Sequence, residues 1–416
     1  MQHTASNNIP FYKPRKIDTK QFFARAEKIF DDCWFTNAGE NVIELERRIA
    51  NLHGVDHCIA VCNATVGLQL VIKGLELTGE VITTPFTFIA TAHAIMWQGL
   101  QPIFADIDPV TLTISPQRIA ELVTPNSSAI LGVHIFGQAC DTEAIQRIAD
   151  KHNLKVIYDA AHCFMTSYTG KSIGNFGDAE VLSFHSTKLF HTFEGGAVLT
   201  NNRELAGRLR LLKNFGFNGI DNVDYLGINA KMNEMSATYG LSLLPYMPET
   251  IEKLKCLQSQ YHELLSGLDG LTFFELSDKV NGNGQYIPVF IDAERFGLNR
   301  DQLWAYLWDN GIETRRYFYP GAHMCEPYYS CNPWFRDSLP VTQRISETIL
   351  SLPCYFDLSD GELKRVCEAV SYASNYSNKV ITWFNERMNS GQTEGHLLPV
   401  VLALKKESRK LCRRKG

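Results

Sequence analysis

Lys188 stands in Ser183-Phe184-His185-Ser186-Thr187-Lys188, with Glu194-Gly195-Gly196-Ala197-Val198 close behind. Upstream, the apolar run Val156-Ile157-Tyr158 ends in Asp159-Ala160-Ala161-His162. A lysine becomes a nucleophile toward a carbonyl when burial or nearby positive charge lowers its basicity. A carboxylate at the end of a buried strand can keep a cationic ring nitrogen protonated. Together these are the residue types needed to carry pyridoxal phosphate. Lys188 would hold the cofactor aldehyde as an imine, and Asp159 would sustain the ring as an electron sink.

Each residue also has a plainer reading. A lysine after a strand is commonly a surface group, but Phe184 ahead and the Gly195-Gly196 pair behind place Lys188 in a tight turn between two buried strands. Asp159 could be an ordinary helix cap. Cys62-Asn63-Ala64-Thr65-Val66-Gly67 runs from an apolar strand into a helical pattern. Free N–H groups there, with the Thr65 hydroxyl, could hold a phosphate on a helix N-terminus. The plain alternative is a capped helix start. Phe86 and Phe88, in Thr84-Pro85-Phe86-Thr87-Phe88, could stack on a ring or simply pack the core.

The elements that must position these groups follow from hydrophobic patterning. Continuous apolar runs at 58–62, 81–84, 102–106, 129–134, 156–158, 181–184 and 197–200 predict strands covered on both faces, hence a mostly parallel sheet. Helical patterns at 67–77, 90–98, 117–123 and 142–151 fall between them. This is an α/β domain, in which ligands bind at the carboxyl ends of strands. Asn63, Asp106, Asp159 and His185 all fall at or just past such ends. An arm is expected over 1–20, with a first helix at 22–30, and the large domain over 21–245. A smaller α+β domain is expected over 246–385, with helices at 248–268, 300–310 and 360–374 and strands at 286–291 and 312–315. Residues 386–416 read as an extension with a basic end and are given no role.

Composition narrows the class. The chain has 416 residues, 45% hydrophobic and 20% charged, enough for a large core. A net charge of -5 gives no reason to expect nucleic acid or a membrane surface as partner. No run of eighteen apolar residues is present, and the first eight residues lack the plan of a signal peptide. The 11 cysteines form no C-x-x-C pair. They read as reduced thiols of a cytoplasmic protein, with no metal site expected.

At this point the segments add up to a family. Thr36-Asn37-Ala38-Gly39, the Asn63-Ala64-Thr65 turn, the segment from Thr84 to Thr91, Asp106-Ile107-Asp108, Asp159-Ala160-Ala161-His162, the Lys188 block, Asn229-Ala230-Lys231-Met232 and Leu350-Ser351-Leu352-Pro353 occur in order. The chain resembles the DegT/DnrJ/EryC1/StrS sugar aminotransferases, pyridoxal phosphate enzymes of fold type I. The resemblance implies a fold like that of aspartate aminotransferase, L-glutamate as amino donor, a nucleotide-linked keto-sugar as acceptor, and a homodimer with shared active sites. It also implies roles. Lys188 would be the imine lysine and proton shuttle, Asp159 the pyridinium partner, and His162 a neighbour of the ring oxygen. Phe88 would lie over the ring. Ala64, Thr65 and Ser183 would hold the phosphate, helped by Asn229 of the other subunit. His185, Lys231, Arg316, Tyr317 and His323 would border the substrate.

Two positions depart from the family pattern. Gly321-Ala322 follows Tyr319-Pro320 where the family often has prolines or a leucine, and Lys231 stands where arginine is frequent. A branch with histidine in place of the lysine is a dehydratase, and Lys188 argues against that branch. The segments 80–88 and 186–196 are similar to those of members that aminate C4 of dTDP-4-keto-6-deoxyglucose, which implies dTDP-4-amino-4,6-dideoxy-D-glucose as product. O-antigen assembly on lipopolysaccharide is the implied destination. The alternatives are amination at C3 of a 3-keto sugar, or a cofactor-binding regulatory or structural protein without turnover.

Overall fold

A computed structural model describes residues 8–332, 335, 338–390 and 403–404. The apolar runs become the strands of a seven-stranded sheet. They are β1 (His57–Val61), β2 (Glu80–Thr83), β3 (Gln101–Phe104), β4 (Ser127–Val133) and β5 (Lys155–Asp159). After the short β6 (Ser167–Tyr168) and β7 (Lys171–Ser172) come β8 (Ala179–Ser183) and β9 (Gly196–Thr200). The order is β1-β9-β8-β5-β4-β2-β3. Neighbours β3, β2, β4, β5 and β8 pair in parallel, and β9 is antiparallel to both β8 and β1. Helices cover both faces, so β8 and β9 are buried along nearly their whole length. That explains continuous rather than alternating apolar runs. The fold is the fold type I α/β architecture.

Local chemistry sets the boundaries. Helix Ala64–Gly74 starts three residues earlier than its apolar periodicity suggests, because Asn63 Oδ1 accepts the Val66 N–H at 2.9 Å and caps it. Helices Glu40–His53, Arg203–Leu212 and Glu234–Leu243 are additional to those expected. The expected strand at 312–315 forms only isolated bridges, Ile9 to Ile312 and Arg315 to Ser351.

Beyond helix Met247–Leu265 the chain builds a second, antiparallel sheet. Its strands are β10 (Leu271–Phe273), β12 (Ile287–Ile291) and β13 (Ile349–Leu352), while β11 (Val280–Asn281) pairs with β6. Helices Arg300–Asp309, Asp360–Asn375 and Ser377–Ser390 belong to this part. One apolar cluster runs from Leu45 and Phe184 through Leu257 to Leu350 and Val366, so both sheets share a core. Residue 386, where the extension is expected to begin, lies inside helix Ser377–Ser390. Leu404 packs into the shared core, and the basic run at 405–414 lies outside the described residues. No helix among the described residues is long and apolar enough to cross a membrane.

Candidate active site

Asp159 ends β5 and is followed by turns rather than a helix, so it is not a helix cap. It is buried. Its Oδ2 accepts the Thr91 hydroxyl at 2.7 Å and its Oδ1 accepts the Ala161 N–H at 3.1 Å. Thr91 stands 2.8 Å from the Thr87 hydroxyl, and both threonines are buried. Each carboxylate oxygen keeps a lone pair for a further donor.

His162 sits three residues on, also buried. Its Nδ1 accepts the Phe136 N–H at 3.3 Å, so the neutral ring carries its proton on Nε2. Burial, and then the charge of Lys188, push this imidazole well below its ordinary range. Its ring packs against Tyr286 at 4.4 Å and stacks with Phe136 and Phe318 at 5.8 and 5.9 Å between centroids.

Lys188 lies on the turn after β8. Its N–H donates to His185 O at 2.8 Å, and its own carbonyl accepts the Tyr12 hydroxyl at 2.6 Å. Among the described residues, the amine makes no hydrogen bond or ion pair. Burial pulls that amine down to about 8, against the opposing charges of Asp159 and Cys163. Lys188, Asp159 and His162 therefore share one electrostatic neighbourhood.

The turn after β1 supplies an anion cradle. Asn63 caps the helix, and Ala64 and Thr65 are its first two residues, whose N–H groups have no intrahelical acceptor. Gly196 lets this backbone approach β9. A Cβ there would meet Ala64 N at 2.8 Å and Leu182 O at 2.9 Å. Ser183 ends β8 beside this turn, and Asn229 is exposed next to Ala230, whose carbonyl accepts the Cys62 N–H at 2.8 Å. Phe86 and Phe88 part company. Phe86 is fully buried against Phe136 and Phe318, whereas Phe88 is 61% exposed and available to a ligand.

The other expected residues are held in different ways. His185 Nδ1 stands 2.8 Å from Thr187 Oγ1, and its Nε2 lies 3.6 Å from Glu194 Oε1. Lys231 Nζ donates to Asn214 Oδ1 at 2.6 Å. Tyr317 stacks on Phe318 and meets Phe11 edge-on. Arg316 is bonded to Asp301 at 3.0 Å and lies 3.8 Å over the Trp304 ring. His323 is enclosed, with neither ring nitrogen partnered among the described residues, and burial pushes it down to about 4 against the pull of Asp106. Thr87, Thr91, Tyr12, Phe136 and Tyr286 complete the site and were not anticipated. The Thr87/Thr91 spacing of four residues is a weak local signal, since Thr87 lies in the bend before helix Ala90–Trp97 and meets Thr91 across its start.

These residues fit pyridoxal phosphate. They provide unpaired N–H groups at a helix start, a glycine-dependent close approach, a buried carboxylate with spare lone pairs and a lysine amine of lowered basicity. Fold and site together define a pyridoxal phosphate-dependent transferase of fold type I. The chain belongs to the DegT/DnrJ/EryC1/StrS aminotransferase family, matched over residues 16–371. It is accordingly a pyridoxal phosphate-dependent sugar aminotransferase.

It is 38% identical to the dTDP-4-amino-4,6-dideoxy-D-glucose transaminase of Escherichia coli over 353 residues, 85% of this chain and 95% of that protein. It is 31% identical to the dTDP-3-amino-3,6-dideoxy-alpha-D-galactopyranose transaminase of Aneurinibacillus thermoaerophilus, across 87% of this chain and 99% of that one. The crystal structure of DesI in the presence of its TDP-sugar product superposes with a TM-score of 0.88 at 39% identity, covering 91% of this chain and 96% of that chain.

Proposed function

We propose that this chain moves the amino group of L-glutamate to the C4 ketone of dTDP-4-dehydro-6-deoxy-D-glucose, giving dTDP-4-amino-4,6-dideoxy-D-glucose. The observation that carries this reading is the 38% identity to a transaminase named for that product, over 95% of its length. The 3-amino relative is more distant, at 31%.

Lys188 would hold pyridoxal phosphate at rest, and the cofactor would supply an electron sink for the charge left when a proton leaves the carbon bearing the amine. Asp159 would accept the ring N–H on a lone pair that Thr91 and Ala161 leave open. His162 would present its Nε2–H to the ring oxygen. Ala64, Thr65 and Ser183 would cradle the phosphate with Asn229 of the other subunit, and Phe88 would cover the ring. Lys188, as a free amine, takes the α-proton of glutamate at Nζ and, in the second half-reaction, returns a proton to C4 of the sugar. A lowered basicity suits a group that must both accept and donate. His185, Lys231 and Tyr317 border the substrate. Arg316 and His323 border it with them.

The working unit is a homodimer with shared sites in the cytoplasm, feeding O-antigen assembly. Support for the dimer comes from the 214–229 lobe, whose Ile220 and Leu226 are 91% and 81% exposed beside Asn229. Turnover with glutamate against dTDP-, UDP- and GDP-linked 4-keto and 3-keto sugars, with NMR of the products, tests the reading. Ping-pong kinetics and a C4 amine on the dTDP sugar are expected. Product formed only from a 3-keto sugar would replace it with the C3 reaction. A protein whose cofactor absorbance ignores glutamate would be a binding protein instead.

A further inference from the structure

The arm ahead of the first helix is built into the catalytic turn. Ile9 bridges Ile312, donating to Gly311 O at 2.8 Å and accepting from the Glu313 N–H at 2.9 Å. Further along, Arg15 donates to Thr250 Oγ1 at 2.8 Å and lies 3.7 Å over the Phe356 ring. Between these anchors the Tyr12 hydroxyl donates to the Lys188 carbonyl at 2.6 Å, across 176 residues of sequence. The preceding carbonyl, that of Thr187, accepts from Gln285 Nε2 at 3.0 Å. Gln285 is buried, and its N–H donates to Asn283 Oδ1, while Asn283 Nδ2 holds the carbonyls of His162 and Phe164 at 3.1 and 3.0 Å. Burial, and then nearby Tyr239, drive the Tyr12 phenol further above its ordinary range, so it remains a donor.

Two consecutive carbonyls of the lysine turn are thus gripped by side chains from outside the sheet that carries it. The Lys188 amine itself has no partner among the described residues, and it sits on four rotatable bonds. Its aim is only as good as the main chain it swings from. We propose that Tyr12, with Gln285, is a positioning residue for Lys188: the arm fixes the pivot from which one amine serves both half-reactions. This rests on the transamination reading above.

The test is single-turnover kinetics of the holoenzyme with glutamate and with α-deuterated glutamate, followed by the cofactor's visible absorbance. Tyr12→Phe removes only the hydroxyl. It is expected to keep full cofactor occupancy and a glutamate KM within about twofold, while the rate falls roughly 3- to 30-fold and the isotope effect rises. Gln285→Met should show the same signature. A wild-type rate and isotope effect in both variants would overturn the proposal. So would a slower rate accompanied by a raised KM and an unchanged isotope effect, which marks an arm that only stabilises the fold. A wild-type enzyme silent to glutamate would instead overturn the transamination reading, and the positioning role with it.

Discussion

Thr91 donates its hydroxyl hydrogen to Asp159 Oδ2 at 2.7 Å, joining the first turn of helix Ala90–Trp97 to the end of β5. Thr87 stands 2.8 Å behind it, so two hydroxyls and a carboxylate form one buried line. The bond fixes which way the carboxylate faces, and with it where a ring nitrogen can sit.

Thr91→Val is isosteric and removes the donor. A hydrogen bond to a buried charge contributes about 1.5–3 kcal/mol, so cofactor retention should weaken roughly 10- to 100-fold. Thr91→Ser should recover most of it. Equilibrium dialysis of both variants against pyridoxal phosphate measures this, and equal affinities for Val and wild type would remove Thr91 from the site.

Lys188 gives a pH prediction. Its amine titrates near 8 because burial disfavours the charged form more than Asp159 and Cys163 restore it. Below that pH the amine is protonated and not nucleophilic; above it the amine is free. Covalent capture of added cofactor by the apoprotein should therefore speed up about tenfold per pH unit below 8 and level off above. Borohydride followed by peptide mapping should find the label at position 188. Lys188→Ala should bind cofactor without covalent capture and lose at least about 10²-fold in turnover.

Much of this was legible in the chain. Strands covered on both faces show as unbroken apolar runs, which put Asp159 and Lys188 at strand ends. The cradle was readable too, though Asn63 moves the helix start to Ala64 by capping, which periodicity does not register. Long-range partners were not legible. Nothing local ties Tyr12 to Lys188 or Thr91 to Asp159, since each pair meets only once the sheet has formed. Arg316 reads as a substrate group from its family-like segment, whereas its contacts with Asp301 and Trp304 come only with the fold. Helix Arg203–Leu212 did carry a signal, with Leu205, Leu209 and Leu212 at helical spacing and all buried.

The apolar lobe at 214–229 supports a prediction about assembly. Exposed Leu226 and Ile220 cost solubility unless a second copy covers them. Leu226→Asp should shift sedimentation toward monomer and reduce turnover in parallel, because Asn229 rides on the same lobe. A variant that stays associated and fully active would separate the lobe from the interface.

Beneath the site, Glu180 holds a buried frame together. Its Oε1 accepts the N–H groups of Gly174 and Phe176 at 2.7 and 2.8 Å. Its Oε2 lies 3.1 Å from His134 Nε2, and both side chains are wholly enclosed. Because His134 Nδ1 accepts the Cys140 N–H at 3.0 Å, the ring proton sits on Nε2 and is donated to Glu180. The His134 N–H, in turn, donates to the Asp159 carbonyl at 2.9 Å. Glu180→Ala leaves three buried donors unanswered and should cost about 3 kcal/mol or more of stability. Glu180→Gln keeps one oxygen for the Gly174 and Phe176 N–H groups but turns an NH2 toward the His134 Nε2–H, so it should fall between, at about 1–3 kcal/mol. Urea titration of the apoproteins measures both. A Glu180→Ala variant as stable as wild type would show that β4 and β5 hold Asp159 without this frame.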